Sequence, residues 1–143
     1  MQFRPPVEHS KIDAFMRNYL DFILPEEEFL IQITDWSIYT PSEMLTIQAL
    51  RTLHGDSRPL IDSPGHAITT TEREIGIALF GLSVSYKWCA CLYLPRGVAA
   101  LYNWEGEIFD FWTSDEDSLK KLDSLLRFFK LSTITSAEQD PTE

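Results

Sequence analysis

The chain has 143 residues, and its 22 acidic against 12 basic side chains give a formal net charge of −10. The 44% hydrophobic and 13% aromatic content excludes a disordered chain and is enough for one domain with a core of its own. The negative charge opposes binding to nucleic-acid phosphates and to anionic membranes. It favours basic partners, although solubility alone would also explain it.

The two cysteines, Cys89 and Cys91, stand two residues apart on a predicted strand. Side chains at that spacing share one face of a strand but diverge, so a disulfide between them would be strained. Thiolate pairs in zinc sites are spaced more widely and need two further ligands. We therefore interpret both cysteines as small buried residues in a reducing compartment, and we expect no metal and no other cofactor.

The N-terminal segment 1–9 is predicted to be an extended arm that ends after Pro5 and Pro6. It has no apolar signal-peptide segment, which favours a cytoplasmic protein. Apolar residues at helical spacing then predict a first helix near 10–24, with Ser10 as its N-cap.

The next two predicted elements are a strand and a capped helix. Residues 29–36 alternate as a strand whose two faces both look at least half covered. The sequence Thr40-Pro41-Ser42-Glu43 is a capping box that begins a helix near 41–54, and Gly55 ends it. The predicted buried side of this helix consists of Met44, Ile47, Leu50 and Leu53.

A long apolar stretch from Glu74 to Leu94 forms the predicted centre of the core. Thr71 and Glu74 have capping-box spacing, which predicts a buried helix over about 72–83, followed by a strand over about 86–94. Two consecutive strands kinked at Gly81 are the alternative, because periodicity alone does not separate the two. The charge of Lys87 and the glycines argue against a membrane span.

The C-terminal third is predicted to be a three-stranded antiparallel meander followed by a helix. The turns at Pro95–Gly97 and Glu105-Gly106 separate strand 86–94 from strands over 98–104 and 107–112. Ser114 is the predicted N-cap of a last helix near 115–130, which carries acids at its start and bases toward its end. Residues 132–143 are predicted to be a frayed polar tail.

The loop around Asp62, Ser63 and His66 brings an acid, a hydroxyl and an imidazole close together in sequence. A small hydrolase using Ser63 and His66 would need both within hydrogen-bond reach and an oxyanion hole nearby. No nucleophile elbow flanks these residues. The more economical interpretation is a turn fixed by Pro64 and Gly65.

The acidic, aromatic hairpin near the end of the meander is the strongest candidate for a binding site. Exposed aromatic residues beside carboxylates are typical of a surface that binds a basic protein. The competing interpretation is that the aromatic rings pack under the helices while the acids face water. The candidate contacts are Trp104, Glu105, Glu107, Asp110 and Trp112, with Asp35, Trp36 and Glu26–Glu28 as secondary choices.

Four short segments are similar to those of a group of bacterial proteins. They are Trp36–Glu43, Leu50-Arg51, Ser63–His66 ahead of the apolar helix, and Tyr86–Trp88 before a strand. With them the chain resembles, over about 29–112, the immunity proteins encoded beside polymorphic toxins, including toxins of type VI and contact-dependent secretion systems. This resemblance implies a cytoplasmic inhibitor that binds one toxin and blocks its active site without catalysis. Cys89 stands where the resemblance would place an acid after Trp88.

Together these observations predict a single α+β domain over 1–143, with a mixed or antiparallel sheet of about four or five strands packed with about four helices. The predicted function is non-catalytic: binding and inhibition of a cognate toxin with a basic surface, as a monomer or homodimer, with no nucleic-acid or membrane partner. The alternatives are an acidic secretion chaperone or adaptor for an effector protein, and the hydrolase with Ser63 and His66.

Overall fold

A computed structural model of the chain describes residues 1–23, 28–36, 40–59, 62, 65–94 and 99–134. Within these residues the fold is α+β, with four α-helices and a six-stranded sheet. The strands are β1 (Gln2–Phe3), β2 (Phe29–Asp35), β3 (Gly65–Ile68), β4 (Cys89–Tyr93), β5 (Ala99–Trp104) and β6 (Ile108–Thr113). The helices are α1 (His9–Ile23), α2 (Pro41–Leu53), α3 (Arg73–Ser85) and α4 (Glu116–Phe129).

The sheet has the strand order β1-β6-β5-β4-β2-β3, and every neighbouring pair is antiparallel. The α+β class and the β4-β5-β6 meander are confirmed, but the sheet has six strands rather than four or five. The two extra strands are its edges, β1 and β3, which have two and four residues. Strands that short show no usable alternation in the sequence. The segment predicted as an arm therefore contributes β1, and beyond α4 the Ile134 N–H donates to the Gln2 carbonyl at 2.8 Å.

All four helices lie over one face of the sheet. Helix α3 packs on β2, β3 and β4, α4 packs on β6, and α1 and α2 pack against α3. Aromatic rings fill the space between the layers: Phe15 contacts Phe109, and Tyr19 contacts Phe111 edge to face. The core therefore lies on this inner face. No helix among the described residues combines the length and the hydropathy that a membrane crossing requires.

The apolar stretch is a helix followed by a strand, α3 and β4, as predicted, and the alternative of two strands is wrong. Helix α3 is apolar around most of its circumference because it packs against other helices and against the sheet. A Cβ at Gly76 would lie 2.7 Å from the ring of Phe29, so a glycine is needed where helix and sheet approach most closely.

Three predicted N-caps differ from the observed ones. The capping box before α3 joins Thr69 and Glu72 rather than Thr71 and Glu74, because a 3₁₀ turn precedes the helix. Asp115 rather than Ser114 caps α4 by accepting from two backbone N–H groups. Helix α1 begins at His9, so Ser10 lies within its first turn. Each error is one or two residues, because adjacent Ser, Thr and Asp residues are all competent caps.

The predicted capping box of α2 is confirmed, but its buried side is only in part the predicted one, with Leu50 partly buried against the core. Ile47 is buried as expected, whereas Met44 and Leu53 are exposed. The buried side is completed by Glu43, whose carboxylate accepts from the Thr40 N–H at 3.0 Å, and by Arg51. Hydrophobic periodicity misplaces part of this side because α2 covers a polar cluster as well as the apolar surface of α3.

That polar cluster surrounds His66, whose side chain is fully buried under α2. Arg51 lies beside it, donates to the Arg58 carbonyl at 2.6 Å and approaches Asp56 to 3.4 Å. Burial, followed by the charge of Arg51, lowers the pKa of His66 from 6.5 to about 4. His66 is therefore neutral in the folded protein at neutral pH.

This buried histidine predicts a specific loss of stability in mild acid. Between its unfolded pKa of 6.5 and its folded pKa of about 4, the unfolded chain binds a proton that the folded chain does not, so stability falls as pH falls. From pH 7 to pH 5 this linkage costs about 2 kcal/mol. Denaturant unfolding of His66→Gln should show a smaller loss of stability than wild type over that range. His9→Gln, at a largely exposed histidine, is the control. Equal pH dependence of wild type and His66→Gln would contradict the prediction.

Candidate functional site

The second face of the sheet is the candidate site, because no helix among the described residues covers it. Strand alternation and register place on this face Gln2, Leu30, Gln32, Thr34, Gly65, Ala67, Cys89, Cys91, Tyr93, Ala100, Tyr102, Trp104, Ile108, Asp110 and Trp112. We call it the open face.

The open face exposes four large apolar side chains. Leu30 and Tyr93 are each 40% exposed, Trp104 is 49% exposed and Trp112 is 62% exposed. Trp104 packs edge to face on Tyr102 at 4.5 Å between ring centroids. Apolar side chains grouped on one surface mark a site of interaction, whereas isolated ones need no explanation.

A shallow cavity of about 240 Å³ lies at the β3 end of the open face. Its lining includes Leu30, Ala67 and Tyr93, which come from three neighbouring strands, together with Glu28 at the rim. Trp112 pairs with Ala100, which pairs with Tyr93, so Trp112 lies level with this depression along the strands, whereas Trp104 pairs with Ile108 near the other end of β5. The open face therefore presents one tryptophan toward each end of its strands, with the apolar depression at the end that carries Trp112.

A tight hairpin turn joins β5 to β6 beside Trp104. The Glu107 N–H donates to the Trp104 carbonyl at 2.8 Å, and both central residues are left-handed, with φ of 49° at Glu105 and 71° at Gly106. This type I′ turn favours Asn-Gly, because a residue with a longer side chain is strained at positive φ. Glu105 thus occupies a position that its backbone conformation disfavours.

The hairpin turn is fixed from beneath by Asn103, whose side chain is fully buried. Its amide nitrogen donates to Ser83 Oγ at 3.1 Å and to the Trp88 carbonyl at 2.9 Å, and its oxygen accepts from the Gly106 N–H at 2.9 Å. A Cβ at Gly106 would lie 2.3 Å from the Val84 carbonyl oxygen. The turn is therefore held directly against the end of α3.

A β-bulge directs Asp35 toward the open face. The register of β2 against β4 shifts between Ile33 and Asp35, so that Asp35 lies opposite Cys89. One ligand atom from each of Asp35, Cys89 and Glu105 lies within 4.8 Å of the others. Neither of these two carboxylates has a basic side chain within salt-bridge distance in the part of the chain that the structure describes.

The remaining predicted acids have partners. Asp110 lies on the open face, 3.9 Å from the Met1 amino group, and accepts a 3.4 Å hydrogen bond from Gln2. Glu107 lies 3.7 Å from Lys87 and lines a different cavity, beside the end of α3. Glu105, Glu107 and Asp110 therefore do not form a single acidic cluster, because each has a different set of neighbours.

The aromatic candidates are also divided between environments. Trp104 and Trp112 are exposed on the open face, so the interpretation that the rings pack under the helices holds for Phe109 and Phe111 but not for them. Trp36 is partly buried and packs against the core. Among the acidic secondary choices, Glu26 and Glu27 lie outside the described residues.

Two exposed apolar residues of the open face, Leu30 and Tyr93, were not among the predicted contacts. The alternation of β2 and β4 gives their orientation, but it does not reveal that the face they occupy is uncovered. The sequence predicted that both faces of β2 are at least half buried, because the second face mixes apolar Leu30 with polar Gln32 and Thr34. Leu30 and Tyr93 become candidate contacts only because the structure places all four described helices on the opposite side of the sheet.

Of the predicted hydrolase pair, only His66 lies within the described residues. His66 points into the inner layer and is buried beside Arg51 and Asp56. Ser63 lies outside the described residues. A general base must reach the proton it abstracts in a bound substrate, and the His66 side chain is fully buried in the described structure.

No protein-family model matches this chain, and neither the curated proteins nor the solved structures contain a significant match to it. Functional inference therefore depends on the geometry of the open face.

The strained turn predicts that Glu105 lowers stability. Glu105→Asn should raise the free energy of unfolding by about 1 kcal/mol, because Asn tolerates the left-handed conformation better. Glu105→Gln removes the same charge but keeps the longer side chain, so it separates backbone strain from repulsion by Asp35. Chemical denaturation measures both variants. Equal stability of the Asn and Gln variants would show that the turn is not strained.

Proposed function

We propose that this protein is a cytoplasmic, non-catalytic inhibitor that binds another protein through its open face, and specifically an immunity protein that neutralises a cognate secreted bacterial toxin. The observation that carries the proposal is the exposure of Trp104 and Trp112 on an uncovered sheet face, where Trp104 lies beside the carboxylates of Asp35 and Glu105. The segments that resemble immunity proteins support the choice of partner.

The tryptophans are the expected energetic centre of the interface. Buried tryptophan and tyrosine side chains account for a large share of binding energy at protein interfaces, and they keep water from neighbouring polar contacts. Trp104 is held in place by Tyr102, and Tyr102 by a 3.0 Å hydrogen bond to Thr34. A partner would therefore meet a preorganised aromatic surface, which lowers the entropic cost of binding.

The charge of the protein specifies the chemistry of the partner. The net charge of −10 favours a partner with a basic surface, such as a nuclease. So do Asp35 and Glu105, which form no salt bridge with any described residue. Long-range attraction between opposite charges accelerates association and makes its rate fall as ionic strength rises.

The groups on the open face suit binding better than catalysis. They are mainly aromatic rings, aliphatic side chains, amides and carboxylates, and none of His9, His54 and His66 lies among them. An acid–base mechanism at neutral pH depends on groups whose pKa lies near 7. A stoichiometric inhibitor has no such requirement, since occupying the active site of its partner is sufficient.

The apolar depression supports a second candidate, an acidic secretion chaperone or adaptor for an effector protein. Such a protein would bind an extended, unfolded segment, and the cavity at Leu30, Ala67 and Tyr93 offers a place for one apolar side chain. The two candidates differ in the state of the partner. An immunity protein binds the folded toxin, whereas a chaperone binds its unfolded segment.

The test uses the toxin-like product of a neighbouring gene, co-expressed and then purified with this protein. The double variant Trp104→Ala/Trp112→Ala should weaken binding to the folded toxin at least about 100-fold, because each tryptophan is expected to contribute about 2 kcal/mol or more. Growth protection should be lost in parallel.

The matched control is Phe128→Ala, at a comparably exposed aromatic residue of α4 on the helical side. This variant should bind and protect like wild type. Full protection by the double variant would refute the assignment of the open face. Binding to the unfolded toxin alone would favour the chaperone.

A further inference from the structure

Three side chains from different parts of the sequence meet on the open face, where the central strands β2, β4 and β5 begin or end. They are Asp35 at the end of β2, Cys89 at the start of β4 and Glu105 in the turn after β5. One ligand atom from each lies within 4.8 Å of the other two. We propose that Asp35, Cys89 and Glu105 form a zinc site.

The cysteine distinguishes this group from an ordinary pair of surface acids. Cys89 is 7% exposed and forms no disulfide, whereas Asp35 and Glu105 are both exposed. The neighbouring Tyr102 hydroxyl bonds to Thr34 at 3.0 Å and also forms a hydrogen bond with the Cys89 side chain.

The two carboxylates need a counter-charge that the described residues do not supply. Asp35 and Glu105 approach each other closely with no described lysine or arginine within salt-bridge distance, in contrast to Glu107 with Lys87 and Asp110 with the Met1 amino group. Like charges this close repel each other. A divalent cation between them removes the repulsion and favours the thiolate form of Cys89.

The donor set selects the ion. A thiolate with two carboxylates suits zinc, whereas magnesium and calcium prefer sites made only of oxygen. Zinc bonds of about 2.3 Å to sulfur and about 2.0–2.2 Å to oxygen require the donors to close in slightly from their present separation. The exposed side chains of Asp35 and Glu105 are able to make that movement by rotation.

The backbone places these donors through two irregular features. Without the bulge after Ile33, alternation would turn Asp35 toward the helices. The left-handed conformation of Glu105 sets the direction of its side chain, so another turn type would point this side chain away from Asp35 and Cys89. Bulges commonly re-aim a side chain at functional sites.

Three protein ligands leave a fourth zinc position open. That position is available to water in the free protein, because the site lies at the exposed edge of the open face. A histidine, cysteine or carboxylate of a bound protein would be able to replace the water. The zinc site itself does not depend on the proposed inhibitor function, since it is complete without a partner.

The test is zinc binding to the purified, reduced full-length protein, measured by competition with a chromophoric chelator. Wild type should bind one zinc ion, and Cys89→Ser should weaken binding about 100-fold or more. Cys91→Ser is the matched control, because Cys91 lies two residues away, on the same face of the same strand, and is also a free, buried thiol. This control should bind zinc like wild type.

A second pair of variants covers the case in which Cys89→Ser does not fold. Glu105→Gln should weaken zinc binding, whereas Glu107→Gln should not, and both change one acid of the same turn. Cobalt(II) bound to wild type should show a thiolate-to-metal charge-transfer band that is absent in Cys89→Ser. Zinc binding that is equal in wild type, Cys89→Ser and Glu105→Gln, or no binding at all, would overturn the proposal. Either result would leave the test of inhibition by Trp104 and Trp112 unaffected.

Discussion

The buried amide of Asn103 joins the parts of this protein that form the candidate site. It links the end of α3 through Ser83, the entry to β4 through the Trp88 carbonyl and the hairpin turn through the Gly106 N–H. Leaving any of these polar groups buried and unpaired would cost about 1–3 kcal/mol. The position of Glu105 and Trp104 therefore depends on a hydrogen-bond network that lies on the opposite side of the sheet.

The placement of all four helices on the inner face has a second consequence. A sheet covered on one side must expose its other side, and here that side carries two tryptophans, a tyrosine and a leucine instead of a uniformly polar surface. Such a face favours association with other proteins. The acidic charge of the chain opposes self-association through it, since two copies of a chain with a net charge of −10 repel each other. A protein that binds a basic partner is therefore able to expose aromatic residues, because its acidic charge opposes self-association while it favours the partner.

Much of the fold was predictable because its signals are local. The capping box at Thr40 and Glu43, the apolar run of α3 and the turn at Glu105-Gly106 each define an element by themselves. The edge strands β1 and β3 were not predictable, because their pairing partners are distant in sequence and their own segments are too short to show alternation. The polar buried side of α2 was missed for a related reason. Arg51 is buried by Asp56 and the Arg58 carbonyl, and hydrophobic periodicity does not report such contacts.

The candidate site shows the same division. Trp104 and Trp112 were identified by residue type and alternation, and the structure places both on the open face. The meeting of Asp35, Cys89 and Glu105 was not foreseen, because the three residues are far apart in sequence and a bulge brings Asp35 into the group. The sequence interpretation of the cysteines considered only the spacing of Cys89 and Cys91. A ligand set assembled from three strand ends has no sequence motif.

The central claim is that the open face becomes buried against a folded protein partner. The most direct measurement is ¹⁹F NMR of the protein labelled with 5-fluorotryptophan, which reports on each of its 4 tryptophans separately. When the folded toxin is added to one equivalent, the Trp104 and Trp112 resonances should shift and lose their solvent isotope effect, whereas that of the buried Trp88 should not change. A stoichiometric complex in which Trp104 and Trp112 remain as exposed to solvent as in the free protein would contradict the claim.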